Sequence, residues 1–217
     1  MADYVRRNVP EAGGGRRHIR LRQVGEMQLK PGRWFAFDAT QGISLEHVAF
    51  HWRAWFPIVP LFRLRVDDWY EDGDGALEAR LWGVLRAIRA SGADVARGEA
   101  MRYLAELPWA PTAMLQNREL EWREVEPNVA EVSADVAGAC PRVLLQFGED
   151  GDVVRVTADK RPRLVGKRVI ETPFVGEFSE YASFGAVRVP TRAEVSWQLP
   201  DGAFTYFRGT VTALETE

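Results

Sequence analysis

Residues 61–85 read LFRLRVDDWYEDGDGALEARLWGVL. Phe62, Leu64 and Val66 alternate with Arg63, Arg65 and Asp67, the two-residue period of a strand with one apolar face. The EDGDG that follows is a hairpin signal, because Asp and Gly tolerate the backbone conformations of tight turns. Leu77, Ala79 and Leu81 resume the alternation on the returning run. The segment predicts two antiparallel strands, and the same pattern spreads from it in both directions.

Toward the N-terminus, Val48, Phe50, Trp52, Ala54 and Phe56 form one face of a strand, opposite Ala49, His51, Arg53 and Trp55, with Pro57 and Pro60 closing it. Trp34 to Thr40 and RHIRLRQVGEMQL read as two more strands, joined by the turn Lys30-Pro31-Gly32-Arg33. Residues 1–15 read as a loose arm ending in Gly13-Gly14-Gly15, which leaves 16–217 as a single domain. Toward the C-terminus the period changes after Gly92. In ADVARGEAMRYLAELPWAP, Ala96, Ala100, Tyr103, Leu104 and Leu107 fall at helical spacing, Glu99, Arg102 and Glu106 share another side, and Pro108 and Pro111 end the helix. From Leu120 onward LEWREV, VAEVSADVA, RVLLQF, DVVRVTA, FVGEFSEYASF, RVPTRAEVSWQL and FTYFRGTVTAL return to strand patterning. The fold class is mainly β with an α component (α+β). About ten strands in one antiparallel sheet must curl, and the helix belongs on the concave side, burying Tyr103 and Leu104.

Composition narrows the function classes. The 28 basic and 31 acidic residues are well mixed, for a net charge of −3, so no clustered positive charge invites nucleic acid. No apolar run suits a signal segment or a membrane span, so a soluble, cytoplasmic protein is expected. One cysteine, Cys140, excludes an internal disulfide and has no motif partner. His47 and His51 lie four apart beside Glu46 without further ligands at metal spacing, so neither a metal nor a cofactor is expected. The distinctive feature is 8 Trp with 11 Phe and 5 Tyr, enough large rings for a big core or a lined cavity.

Two groups carry candidate chemistry. On the helix, Arg102 offers a fork for a carboxylate or phosphate, with Tyr103 beside it, Trp109 beyond, and Glu99 and Glu106 as acid–base candidates once desolvated. The bland alternative is a solvated face of spaced ion pairs. On the strands, Trp52, Trp82, Tyr181 and Trp197 are candidates for a ligand-facing wall. Asp67 and Asp68 point to opposite faces of their strand, so they are no catalytic pair. Asp68 shares the face of Leu64 and Val66, with Arg80 on a neighbouring strand as a candidate partner.

GEAMRYLAELPWAPTAML, followed downstream by TPFVGEFSEYASFGAVRVPTRAEVSWQLPDGAFTYFRG, resembles a family of uncharacterised bacterial proteins. Its recurring words correspond to Arg102 to Trp109, Thr172 to Gly176 and Trp197 to Gly202, although Phe174 stands where Trp is expected. The resemblance implies a half-barrel similar to that of lipoprotein-localisation carriers, a fold that also serves a small pigment-pathway enzyme. The reading that follows is a binding protein for an apolar or amphipathic small molecule held between curved sheet and helix, anchored by Arg102. A small cofactor-independent cyclase, isomerase or hydrolase of secondary metabolism in the same cavity is the alternative, using Glu99, Glu106 or Asp68. A third reading, an interaction module with an exposed aromatic patch, predicts no cavity.

Overall fold

The computed structural model describes residues 2–9, 15–59, 61–136, 138–166 and 168–217. Helix α1 (Ala2–Asn8) precedes six strands, β1 (His18–Lys30), β2 (Arg33–Ser44), β3 (Phe50–Val59), β4 (Phe62–Glu71), β5 (Asp74–Leu81) and β6 (Leu85–Ser91). Helix α2 (Ala93–Ala105), a 3-10 turn at Leu107–Trp109 and α3 (Ala113–Gln116) then lead to β7 (Leu120–Glu126), β8 (Val129–Ala134), β9 (Arg142–Phe147), β10 (Val153–Val165), β11 (Arg168–Phe184), β12 (Val187–Leu199) and β13 (Gly202–Thr216). The thirteen strands form one curled antiparallel sheet, a half-barrel, in the order β6-β5-β4-β3-β2-β1-β13-β12-β11-β10-β9-β8-β7.

That order explains the helix. From the centre, β1 to β6 step outward to one edge, while β7 to β13 step inward from the other until β13 pairs with β1. Between β6 and β7 the chain must therefore cross from edge to edge, and α2 is the crossing. It packs on β4 and β5 from one half and on β9 and β10 from the other. Tyr103 and Leu104 are fully buried under it, as the helical spacing requires, and burying side chains of this size contributes roughly 1.5–3 kcal/mol each. At the central seam Gly25 pairs with Gly209, and a Cβ on Gly25 would sit 2.1 Å from the Arg208 carbonyl oxygen. The rings of Phe37 and Phe207 cover these glycines and stack on each other 5.5 Å apart.

Alternation places side chains as expected on β3, where Phe50, Trp52, Ala54 and Phe56 are buried and His51, Arg53 and Trp55 face outward. Three details differ from the sequence reading. Strand β3 continues through Pro57, because its pairing with β2 stops at Trp55 and the missing proline N–H faces no partner there. The sheet has more strands than the ten or so expected. Strand β6 was not foreseen because, as an edge strand with Leu85, Arg86, Ala87, Ile88 and Arg89 exposed, it carries no apolar alternation. The loose arm expected over 1–15 is helical from Ala2 to Asn8, with Tyr4 and Val5 buried. The Tyr4 hydroxyl donates to the Pro108 carbonyl at 3.3 Å and lies 3.3 Å from the Tyr181 hydroxyl, which fastens α1 to the 3-10 turn and β11. Gly13 and Gly14 fall outside the described residues. Among the described residues no helix is long and apolar enough to cross a membrane.

Candidate functional site

Between α2 and the concave face lies a cavity of about 600 Å³. Its walls are mostly apolar and include the rings of Trp52, Trp109, Phe174, Phe178, Trp197 and Phe207, contributed by β3, the 3-10 turn, β11, β12 and β13. At its opening stand two hairpin tips. Leu29 and Pro31 come from the β1–β2 turn, and Leu164, Val165 and Val169 come from the β10–β11 turn, all of them exposed. Concave sites of this size with few polar groups are the usual form of small-molecule sites.

One polar group on the wall is fully engaged. The Arg102 guanidinium donates through Nη1 to Asp68 and through Nε to Glu106 at 2.7 Å, and lies over the rings of Phe50 and Trp52, about 5 Å from each. Glu106 also accepts from Gln41, whose Oε1 accepts from Gln23 at 3.4 Å, while Gln23 accepts from the Trp52 indole at 3.0 Å. A continuous chain of donors and acceptors thus runs from Trp52 through Gln23, Gln41, Glu106 and Arg102 to Asp68. Burial opposes the charge on Arg102, but Glu106, Asp68 and Glu99 outweigh it and hold the proton more tightly than in free arginine. The solvated-face alternative for this side of α2 does not apply, because α2 is enclosed between the sheet halves and the Glu99–Arg102–Glu106 side meets the cavity.

A second guanidinium is not engaged. Arg161, on β10, is 8% exposed and lies over Phe174 at 4.8 Å and Trp197 at 5.5 Å. Its Nη1 donates to the Tyr206 hydroxyl at 3.5 Å, and its buried Nε has no partner. Among the described residues no carboxylate comes within 4.0 Å of it.

Glu99, 9% exposed, stands on the same wall with its Oε2 unpartnered. Burial first, then the neighbouring Asp68 charge, pushes its carboxyl well above the usual range, against the opposing pull of Arg161 and Arg102. The proton-bearing form is favoured, which makes Glu99 a donor beside the carboxylate of Asp68.

The residues expected to form a site separate into two sets. Asp68, Glu99, Arg102, Glu106, Trp52, Trp109 and Trp197 all line the cavity. Tyr103, Tyr181 and Trp82 do not line it. Tyr103 donates to the Ser44 carbonyl at 2.9 Å and accepts from Asn117 at 2.9 Å, seating α2 on the sheet, so it is a structural residue and no ligand wall. Tyr181 donates to the Val153 carbonyl at 2.9 Å and belongs to the α1 anchorage. Trp82 is 48% exposed in the β5–β6 turn, its ring tilted 34° to that of Phe62 at 5.0 Å. Asp68 pairs with Arg102, whereas Arg80 turns back to Glu78, which accepts from its Nη2 at 2.6 Å. Asp67 indeed faces away from Asp68, held by Arg53 at 2.6 Å and close to Arg65 and His51.

Sequence reading missed Arg161. The reason is a bulge between Ala158 and Arg161 on β10. Strict alternation from Val156 and Ala158 would send Lys160 inward, whereas the bulge moves the phase and turns Arg161 to the cavity. Pro162, inside the strand, is the signal that could have marked the irregularity.

A curled half-barrel closed by one crossing helix, with an aromatic cavity between them, is the class that fold and site define. The chain belongs to the family of unknown function DUF6920, whose model matches residues 2–215. No curated protein matches it in sequence. Among solved structures it is similar to a DUF1329 family protein from Desulfovibrio piger, at 11% identity and a TM-score of 0.50 over 94% of this chain and 87% of that one. It is also similar to a LolA superfamily protein from Nitrosomonas europaea, at 10% identity and a TM-score of 0.49 over 100% and 94% of the two chains. A third is an outer membrane lipoprotein-sorting protein domain from Vibrio parahaemolyticus, at 7% identity and a TM-score of 0.49 over 100% and 90%.

Proposed function

We propose that the protein holds an apolar or amphipathic small molecule in the cavity between α2 and the concave sheet. The observation that carries this reading is the cavity itself, about 600 Å³ with a mostly apolar wall that includes eight aromatic rings, and with exposed apolar hairpin tips at its opening. Apolar walls give affinity, and the few polar groups give orientation.

A neutral fluorescent probe such as Nile red tests it. A Cβ on Gly176 meets only the rings of Phe174 and Phe178, at 3.7 and 3.8 Å, so Gly176→Leu puts bulk into the cavity without a backbone clash. Wild-type protein takes up the probe, Gly176→Leu weakens uptake about tenfold, and Trp82→Ala, outside the cavity, leaves it unchanged. A folded wild-type protein that takes up no probe sinks the proposal.

One observation favours a second reading, a cofactor-independent enzyme. Glu99 in its proton-bearing form stands beside Asp68 in the cavity wall, which is an acid next to a base. This reading requires that a molecule bound by the wild-type protein is converted on incubation, seen as a change in mass or in chromatographic retention, and stays unchanged with Glu99→Gln. A bound molecule recovered intact from the wild-type protein rules it out.

A further inference from the structure

We propose that Arg161 is the head-group anchor of the cavity, and that the ligand is an amphiphile with an oxyanion head, a carboxylate or a phosphate, on an apolar chain. The proposal rests on the reading of the cavity as a binding site and goes beyond it by naming the ligand class and the residue that selects it.

Arginine stays charged in any protein environment. A buried guanidinium is therefore unfavourable unless acceptors meet it. Arg102 shows the satisfied case, with Asp68 and Glu106 on its donors. Arg161 lines the same cavity at 8% exposure, with an unpartnered Nε and one long contact to Tyr206 at 3.5 Å. Its Cζ lies over the rings of Phe174 and Trp197, 4.8 and 5.5 Å from their centroids, contacts that leave its N–H donors without an acceptor. Glu99 does not fill that role, because its neutral form is the favoured one. Arg163, also in the cavity wall and 5.7 Å from the Trp197 ring, adds a second positive charge on this side. An incoming oxyanion finds the Arg161 Nη donors, engaged only by the long contact to the Tyr206 hydroxyl, and its chain finds apolar and aromatic walls.

Calorimetric titration of the full chain with dodecan-1-ol, dodecanoate, dodecyl phosphate and dodecyltrimethylammonium holds the chain constant and varies the head. The expected result is an oxyanion head bound at least about tenfold more tightly than the alcohol, with the ammonium weakest. The order of dodecanoate and dodecyl phosphate then assigns the head. Arg161→Met keeps an unbranched apolar stem and removes the guanidinium. It removes the oxyanion preference while holding dodecanol affinity within about twofold, and Arg161→Lys restores part of the preference. Equal binding of dodecanol and both anions by the wild type, or a preference that survives in Arg161→Met, overturns the anchor and leaves the cavity reading intact. Failure of all four to bind overturns both. Should Arg161→Met not fold, the wild-type head-group series decides alone.

Discussion

Arg102, on α2, and Arg161, on β10, line one cavity and both lie over aromatic rings, yet they live in opposite electrostatic circumstances. Arg102 is met by two carboxylates from two elements, Asp68 on β4 and Glu106 just past the helix. By joining the crossing helix to the N-terminal half of the sheet, this pairing makes the charge part of the fold. Arg161 is brought in by a bulge, lies over Phe174 and Trp197, and has no carboxylate within 4.0 Å among the described residues. A buried cation of the first kind stabilises the protein that contains it. One of the second kind burdens the empty protein and is relieved by a ligand.

The largest expected effect breaks this comparison or keeps it. Arg102→Leu leaves Asp68 and Glu106 buried without their partner and should lower unfolding free energy by about 3–5 kcal/mol in chemical denaturation. Arg161→Met removes an unpaired buried charge and should stay within about 1 kcal/mol of wild type, or exceed it. Equal losses in the two variants would mean that Arg161 is a structural group like Arg102.

A smaller effect sharpens the picture of the wall between them. The Glu99 carboxyl is raised by burial and by Asp68, so the folded protein keeps this proton above pH 4.5 while the unfolded chain, with an ordinary value near 4.5, releases it. Its contribution to stability is therefore fully present below that pH and declines as pH rises toward the raised folded value. Glu99→Gln, which never ionises, should remove that decline and be more stable than wild type at pH 8. Parallel stability curves for the two proteins between pH 5 and 8 would show that Glu99 is ionised in the folded state.

How far the sequence carried these conclusions depends on what each residue's pattern encodes. Alternation over residues 61–85 was enough for antiparallel pairing, and the change of period after Gly92 located the helix that crosses between the sheet edges. Asp68 could be singled out because it shares a strand face with Leu64 and Val66, so its burial followed from position alone. Its partner could not, since Arg80 is near in the sheet while Arg102 arrives only through the edge-to-edge crossing. Tyr103 and Trp109 looked alike as aromatic residues in and just beyond the helix, but an element packed between two sheet halves buries several sides at once. Helical spacing does not tell cavity from core there. Strand β6 was hidden by its exposure and Arg161 by its bulge, both being departures from the period on which the reading depended.

The account is tested most directly by a crystal structure of the full chain soaked with dodecanoate. It predicts the acyl chain in the space between α2 and the sheet, against Trp109 and Phe178, with the carboxylate within hydrogen-bonding distance of Arg161. An acyl chain bound outside this cavity, or one inside it whose carboxylate points away from Arg161 toward the hairpin tips, would contradict it.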